Sequence, residues 1–106
     1  GTVFYQCPEI IQHEQYGEKA DIWSLGCILY QMAALRPPFE GNPLFLATKI
    51  VEGKYEPIET GNYSPLLPRV VSQMLTPQPD ARPDIDEVSR LISHVLMSEL
   101  DRVSQD

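Results

Sequence analysis

Cys7 or Cys27 together with His13 or His94 could suggest a thiol hydrolase, because such an enzyme pairs a thiol with an imidazole. Cys27 lies in an apolar run, so it is predicted to be a small buried hydrophobic residue rather than a nucleophile. His94 has no evident partner on the last predicted helix, and His13 with Glu14 falls short of three clustered metal ligands. The sequence therefore predicts neither a thiol hydrolase nor a metal site.

The glycines, the carboxylates and the basic residues argue against several further classes of function. The six glycines are isolated from one another, so no glycine-rich loop that could cradle a phosphate is present. The carboxylates are scattered, without the pair that glycoside hydrolysis requires. The net charge is −7 and the eight Lys and Arg residues form no basic stripe, which argues against nucleic-acid binding.

Cysteine usage and hydropathy bear on the compartment. Two cysteines in 106 residues do not make a disulfide scaffold, which favours a reducing, intracellular location in the cytoplasm or nucleus. The sequence has no signal-peptide pattern, and no apolar run approaches the ~20 residues that a membrane helix needs. A membrane partner is therefore not expected.

Four helices are predicted to position any functional side chain. Residues 19–36 are apolar on nearly every side, which is typical of a helix buried on several faces. Asp21 suits an acidic cap at the start of this helix, and Pro37 stops it. The other predicted helices run from Pro43 to about Glu52, over 66–75 with regular geometry from Pro68, and from Ile85 to about Leu100 after a capping box of Asp84 and Glu87.

These elements predict a mainly α protein built around one central helix. The segment KYEPIETGNYSP between the second and third helices is a loop by composition, and no strand is predicted. Three shorter helices can cover only part of a central helix that is apolar all round. We therefore expect that further helices, encoded upstream, complete the core.

Four motifs follow one another in the order GT-x-x-x-x-C-PE, KADIWSLGCILYQM, RPPF and TPQPDARPDIDEV. Together they resemble the C-terminal, helical lobe of a eukaryotic protein kinase, with Cys-Pro-Glu where kinases carry Ala-Pro-Glu. The stretches GEKADIWSLGCILYQMAALRPPF and ATKIVEGKYEPI are similar to those of the NIMA-related (NEK) serine/threonine kinases. The resemblance implies a kinase lobe over residues 1–100, without the N-terminal lobe and catalytic loop, and a C-terminal tail over residues 101–106.

The resemblance also implies a substrate-binding segment at the start of the chain. Its residues would line the pocket for the substrate residue that follows the phosphoacceptor, and they are Gly1, Thr2, Val3, Phe4 and Tyr5. The Thr2 hydroxyl would contact the catalytic Asp and a nearby Lys, which is typical of serine/threonine specificity. The alternative for Thr2 is a turn hydroxyl that bonds its own backbone.

Four further residues are implied to have structural roles. Glu9 would form a buried ion pair with Arg82, whose planar fork suits a carboxylate and which lies between two apolar helices. The alternative is two unrelated surface charges. Asp21 would accept backbone N–H groups from the catalytic loop, or would simply cap its helix. Trp23 would pack under the substrate segment, or would simply fill the core.

The implied activity is transfer of the ATP γ-phosphoryl group to Ser or Thr of protein substrates. ATP and Mg²⁺ would be bound by a glycine-rich loop, a Lys–Glu pair, His-Arg-Asp and Asp-Phe-Gly, and none of these is in this sequence. No catalytic, cofactor-binding or metal-binding residue is therefore assigned, and the isolated chain is expected to be inactive. The expected partners are protein substrates and the missing N-terminal part of the kinase. The alternatives are a short inactive product that binds substrates or partners, and a truncation without a stable fold.

Overall fold

The computed structural model describes residues 6–59 and 66–104. These residues form five α-helices and one 3₁₀ turn at Pro79–Ala81: α1 (Pro8–Ile11), α2 (Glu18–Ala34), α3 (Pro43–Glu52), α4 (Leu66–Met74) and α5 (Ile85–Ser104). The two described ranges contain no β-strand, and the mainly α prediction is confirmed. None of their helices is both long and apolar enough to cross a membrane.

Local signals account for some of the helix bounds. At the start of α5 the Asp84 carboxylate accepts a hydrogen bond from the backbone N–H of Glu87 at 2.8 Å, as the capping pattern predicts. The helix α4 begins at Leu66, as predicted, but it includes Pro68, so the expectation that its regular geometry starts only at Pro68 is wrong. Pro68 is tolerated there because it is the third helical residue, whose N–H would have no partner within the helix.

Other bounds also differ from the predictions. α1 was not predicted, since four residues are too few to show a helical period. α2 ends at Ala34, before Pro37, because Leu35 adopts a left-handed backbone conformation with φ of 62°. α5 continues to Ser104 and not only to about Leu100.

The core is centred on α2. Its side chains Trp23, Cys27 and Tyr30 are fully buried, and they pack against the loop after α2, α3 and α4. α4 approaches closely where α2 carries Gly26, since a Cβ there would lie 2.8 Å from the Cβ of Met74. A second cluster joins α2, α4 and α5.

Part of α2 is left uncovered by the described residues, as the small number of helices predicts. Ile28 and Met32 are 49% and 68% exposed. Beside them lies a wholly apolar groove of about 270 Å³ between α2, α4 and α5, lined by Leu29, Met32, Ala33, Leu67, Val70, Ile92, Val95 and Leu96. Exposed apolar surface of this kind favours association.

Candidate functional site: the buried Glu9–Arg82 pair

Glu9 is the second residue of the short helix α1, where a negative charge is favourable. Pro8 occupies the first helical position, and the carbonyl of Cys7 accepts hydrogen bonds from the N–H groups of Ile10 and Ile11 at 3.1 and 3.2 Å. These bonds form a single turn that directs the Glu9 side chain into the protein, where it is buried.

Arg82 lies between the 3₁₀ turn and α5. Its backbone is extended, with φ of −77° and ψ of 148°, as expected for a residue that precedes a proline, here Pro83. The extended backbone interrupts the helical structure and turns the Arg82 side chain toward α1 and the N-terminal end of α2.

All five N–H groups of the Arg82 guanidinium have acceptors. Nη1 and Nη2 donate to the two carboxylate oxygens of Glu9, each at 2.8 Å, which is the bidentate geometry of a strong ion pair. The other three donors reach backbone carbonyls, with Nε to Thr76 at 2.8 Å, Nη1 to Lys19 at 2.9 Å and Nη2 to Pro77 at 3.1 Å. The guanidinium is therefore fully satisfied without water.

Burial makes the pair interdependent. The side chains of Arg82 and Glu9 are 0% and 3% exposed. Burial opposes ionisation of Glu9, but the hydrogen bonds and the charge of Arg82 outweigh it and hold the pKa of the carboxyl below its usual value. The neighbouring Cys7 thiol is kept protonated, because burial raises its pKa and the Glu9 charge adds to the effect.

The indole ring of Trp23 packs against the Arg82 guanidinium. Its ring centroid lies 5.0 Å from Cζ of Arg82, within the range of a cation–π contact. The indole also stacks on Phe39, with ring centroids 5.5 Å apart and planes 9° from parallel. The indole Nε1 is buried and has no acceptor among the described residues. Trp23 thus joins the ion pair to the core.

Sequence reasoning missed the carbonyl groups and one lysine. The carbonyls of Thr76 and Pro77 are acceptors that no side-chain pattern reveals. The Lys19 ammonium donates to the Arg82 carbonyl at 2.7 Å. The sequence does carry one indication of a special role for Lys19. It is a basic residue in the first turn of a helix, where the helix dipole disfavours a positive charge.

Asp21 is not part of this cluster. Gly17 is the N-cap of α2, so the expectation that Asp21 caps the helix is wrong, although its carboxylate still lies in the first turn. Its side chain is exposed and lines a recess of about 410 Å³ with residues from the starts of α2 and α5. The predicted substrate-binding residues Gly1, Thr2, Val3, Phe4 and Tyr5 lie outside the described residues.

Within 6–59 and 66–104, no three His, Cys, Asp or Glu side chains are grouped so that they could hold a metal ion. What the Glu9–Arg82 pair can do chemically is hold α1, the start of α2 and the segment after α4 together.

The sequence was compared with known proteins. Residues 1–94 match the family model described as "Protein kinase domain". The chain is 57% identical over 105 residues to Serine/threonine-protein kinase Nek10 of Homo sapiens. The alignment covers 98% of this chain and 9% of that relative.

Two further relatives are more distant. The chain is 44% identical over 89 residues to Probable serine/threonine-protein kinase nek2 of Dictyostelium discoideum, and also 44% identical over 89 residues to Serine/threonine-protein kinase Nek5 of Homo sapiens. Each alignment covers 83% of this chain, and they cover 21% and 12% of the two relatives. The chain thus spans a minor part of the length of the relatives it matches.

Proposed function

This chain belongs to the protein kinase family, and we propose that it holds the substrate-binding end of the activation segment in place within a serine/threonine kinase. The predicted similarity to NIMA-related kinases is confirmed by the relatives found, two of which carry the name Nek10. The proposed reaction of the whole protein is transfer of the ATP γ-phosphoryl group to Ser or Thr of protein substrates.

The observation that carries the proposal is the bidentate Glu9–Arg82 pair. α1 has only four residues, and a helix this short is not stable without tertiary contacts. Its attachment to the rest of the chain is reinforced by the buried carboxylate, whose partner Arg82 is bound to three carbonyls. Because Gly1–Tyr5 lie just before α1 in the sequence, anchoring α1 limits where that segment can lie.

Anchoring matters because phosphoryl transfer depends on positioning more than on covalent chemistry of the protein. In this proposal Gly1–Tyr5 contact the substrate, Asp21 accepts N–H groups of the catalytic loop, and Trp23 packs beneath the substrate segment. ATP and Mg²⁺ are bound by other parts of the kinase, and the 106-residue chain alone is inactive. The proposed location is intracellular, and the proposed kinase portion is 1–100, followed by a tail.

The experiment is steady-state phosphorylation of Ser, Thr and Tyr peptides by the full chain that the gene encodes, hereafter the full chain. We expect transfer to Ser or Thr peptides, and none by the 106-residue chain. Glu9→Gln is expected to lower kcat/KM for the peptide at least about tenfold, since it leaves Arg82 without its counter-charge. The matched control is Glu56→Gln, which breaks the exposed pair with Arg36 and leaves kcat/KM unchanged.

Two results would contradict the proposal. Equal kcat/KM values in the Glu9→Gln and wild-type full chains would show that the pair does not serve substrate positioning. Peptide binding without phosphoryl transfer by the full chain would instead favour a catalytically inactive binding module.

A further inference from the structure

Lys19 has an unfavourable position for a cation. It is the second residue of α2, in the first turn, where the helix dipole is positive. The recess beside it is lined by four carboxylates, those of Glu18, Asp21, Asp84 and Asp86. Although these carboxylates are nearby, the Lys19 ammonium donates a hydrogen bond to the carbonyl oxygen of Arg82 at 2.7 Å.

Lys19 and Arg82 are joined by two reciprocal hydrogen bonds. The Lys19 side chain donates to the backbone of Arg82, and the Arg82 side chain donates to the backbone of Lys19 at 2.9 Å. One bond fixes the main chain of Arg82 and the other fixes its guanidinium. Two contacts from one residue thus restrain both ends of Arg82 relative to α2.

The carbonyl of Arg82 needs this donor because of its position in the chain. It precedes Pro83, it lies in an extended residue between a 3₁₀ turn and α5, and the bond to Lys19 is partly buried. A charge-assisted hydrogen bond of this length is among the stronger ones in proteins. Without it the main chain of Arg82 keeps the hydrogen bond from its N–H to the carbonyl of Pro79 at 3.1 Å, which lies within the 3₁₀ turn and does not join Arg82 to α2.

We infer that Lys19 is a positioning residue for substrate binding, acting through Arg82 on Glu9 and hence on α1. The inference rests on the proposed function, since it assigns Lys19 to the same anchor. An ammonium on a long stem suits the task because it crosses from α2 to the Arg82 carbonyl. Together with the carbonyls of Thr76 and Pro77, Lys19 thus sets where the guanidinium meets the carboxylate.

The test compares the full chain with three variants in peptide phosphorylation. Lys19→Met removes the donor and keeps the length of the stem, and Lys19→Arg restores a charged donor. Lys54→Met is the matched control, because Lys54 is an exposed lysine that pairs with Glu52 at 3.1 Å, away from the anchor. The readouts are KM for the peptide, KM for ATP and kcat.

We expect Lys19→Met to raise KM for the peptide about tenfold, the loss of one charge-assisted hydrogen bond, while kcat and KM for ATP stay within about twofold. Lys19→Arg and Lys54→Met are expected to keep the wild-type KM. A merely structural role would instead lower the amount of folded enzyme and hence kcat, with the peptide KM unchanged.

The outcomes separate this inference from the proposed function. A wild-type peptide KM in Lys19→Met, together with a defect in Glu9→Gln, would overturn the role of Lys19 alone. Wild-type kinetics in both variants would overturn the proposed function as well. If Lys19→Met does not fold, the peptide KM of Lys19→Gln, whose amide is too short to replace the ammonium, decides the question in the same way.

Discussion

Replacing Arg82 by alanine is predicted to be among the most destabilising single changes in this chain. The substitution removes five hydrogen bonds at once and leaves the Glu9 carboxylate buried without a counter-charge. Removing one partner of a buried ion pair typically costs about 3–5 kcal/mol. The three carbonyls that lose a donor place Arg82→Ala in the upper part of that range.

The assay is a thermal melt of the full chain, followed by circular dichroism. Each kcal/mol lowers the Tm of a domain of about 150–250 residues by about 2–4 °C, so Arg82→Ala is expected to lower Tm by about 10 °C or more. Arg82→Lys keeps the charge but loses the planar fork, and its Tm is expected to lie between those of Arg82→Ala and wild type.

The control is an ion pair of the same composition on the surface. Arg36 lies 3.0 Å from Glu56, and the two side chains are 40% and 78% exposed. Because water already solvates both charges, Arg36→Ala is expected to leave Tm almost unchanged. The reasoning is refuted if Arg82→Ala and Arg36→Ala lower Tm by the same small amount.

Three further predictions concern acid, packing and the thiols. The pKa of Glu9 is held below its ordinary value of 4.5, so the stability that its charge contributes is present above pH 4.5. That stability is lost as the pH falls through the lowered pKa. In acid denaturation, Glu9→Gln should lack this pH-dependent loss of stability. Gly26→Ala should lower the free energy of unfolding by about 1–3 kcal/mol, because the new Cβ would lie 2.8 Å from the Cβ of Met74. An unchanged midpoint of urea denaturation would contradict this packing. Burial raises the pKa of Cys27 to about 12 and also raises the pKa of Cys7. Iodoacetamide should therefore alkylate both thiols slowly until the protein is denatured. Rapid labelling of either thiol, detected by mass spectrometry, would contradict their burial.

Helix bounds were predictable where the sequence carries a local signal. Pro43 at the start of α3 gave its first residue correctly, and Gly53, with φ of 68°, follows its last. The end of α2 was predicted less well because Leu35 adopts a conformation that usually requires glycine. No property of the sequence indicates that the chain would turn there.

The site was predictable in its side chains but not in its backbone. The motifs placed Glu9 and Arg82 together, and the structure brings them together in a bidentate pair. The carbonyls that complete the guanidinium shell depend on how the residues after α4 turn, which residue types do not specify. The role of Lys19 depends on the distance between two segments more than 60 positions apart, and only the folded chain reveals it.

Hydrogen exchange of α1 in the full chain is the measurement that tests most directly whether the Glu9–Arg82 pair anchors this region. The amides of Ile10 and Ile11, bonded to the Cys7 carbonyl, report the opening of α1. In Glu9→Gln they are predicted to exchange at least about tenfold faster than in wild type, while the amides of α2 keep their protection. Equal exchange of α1 in the Glu9→Gln and wild-type full chains would contradict the account.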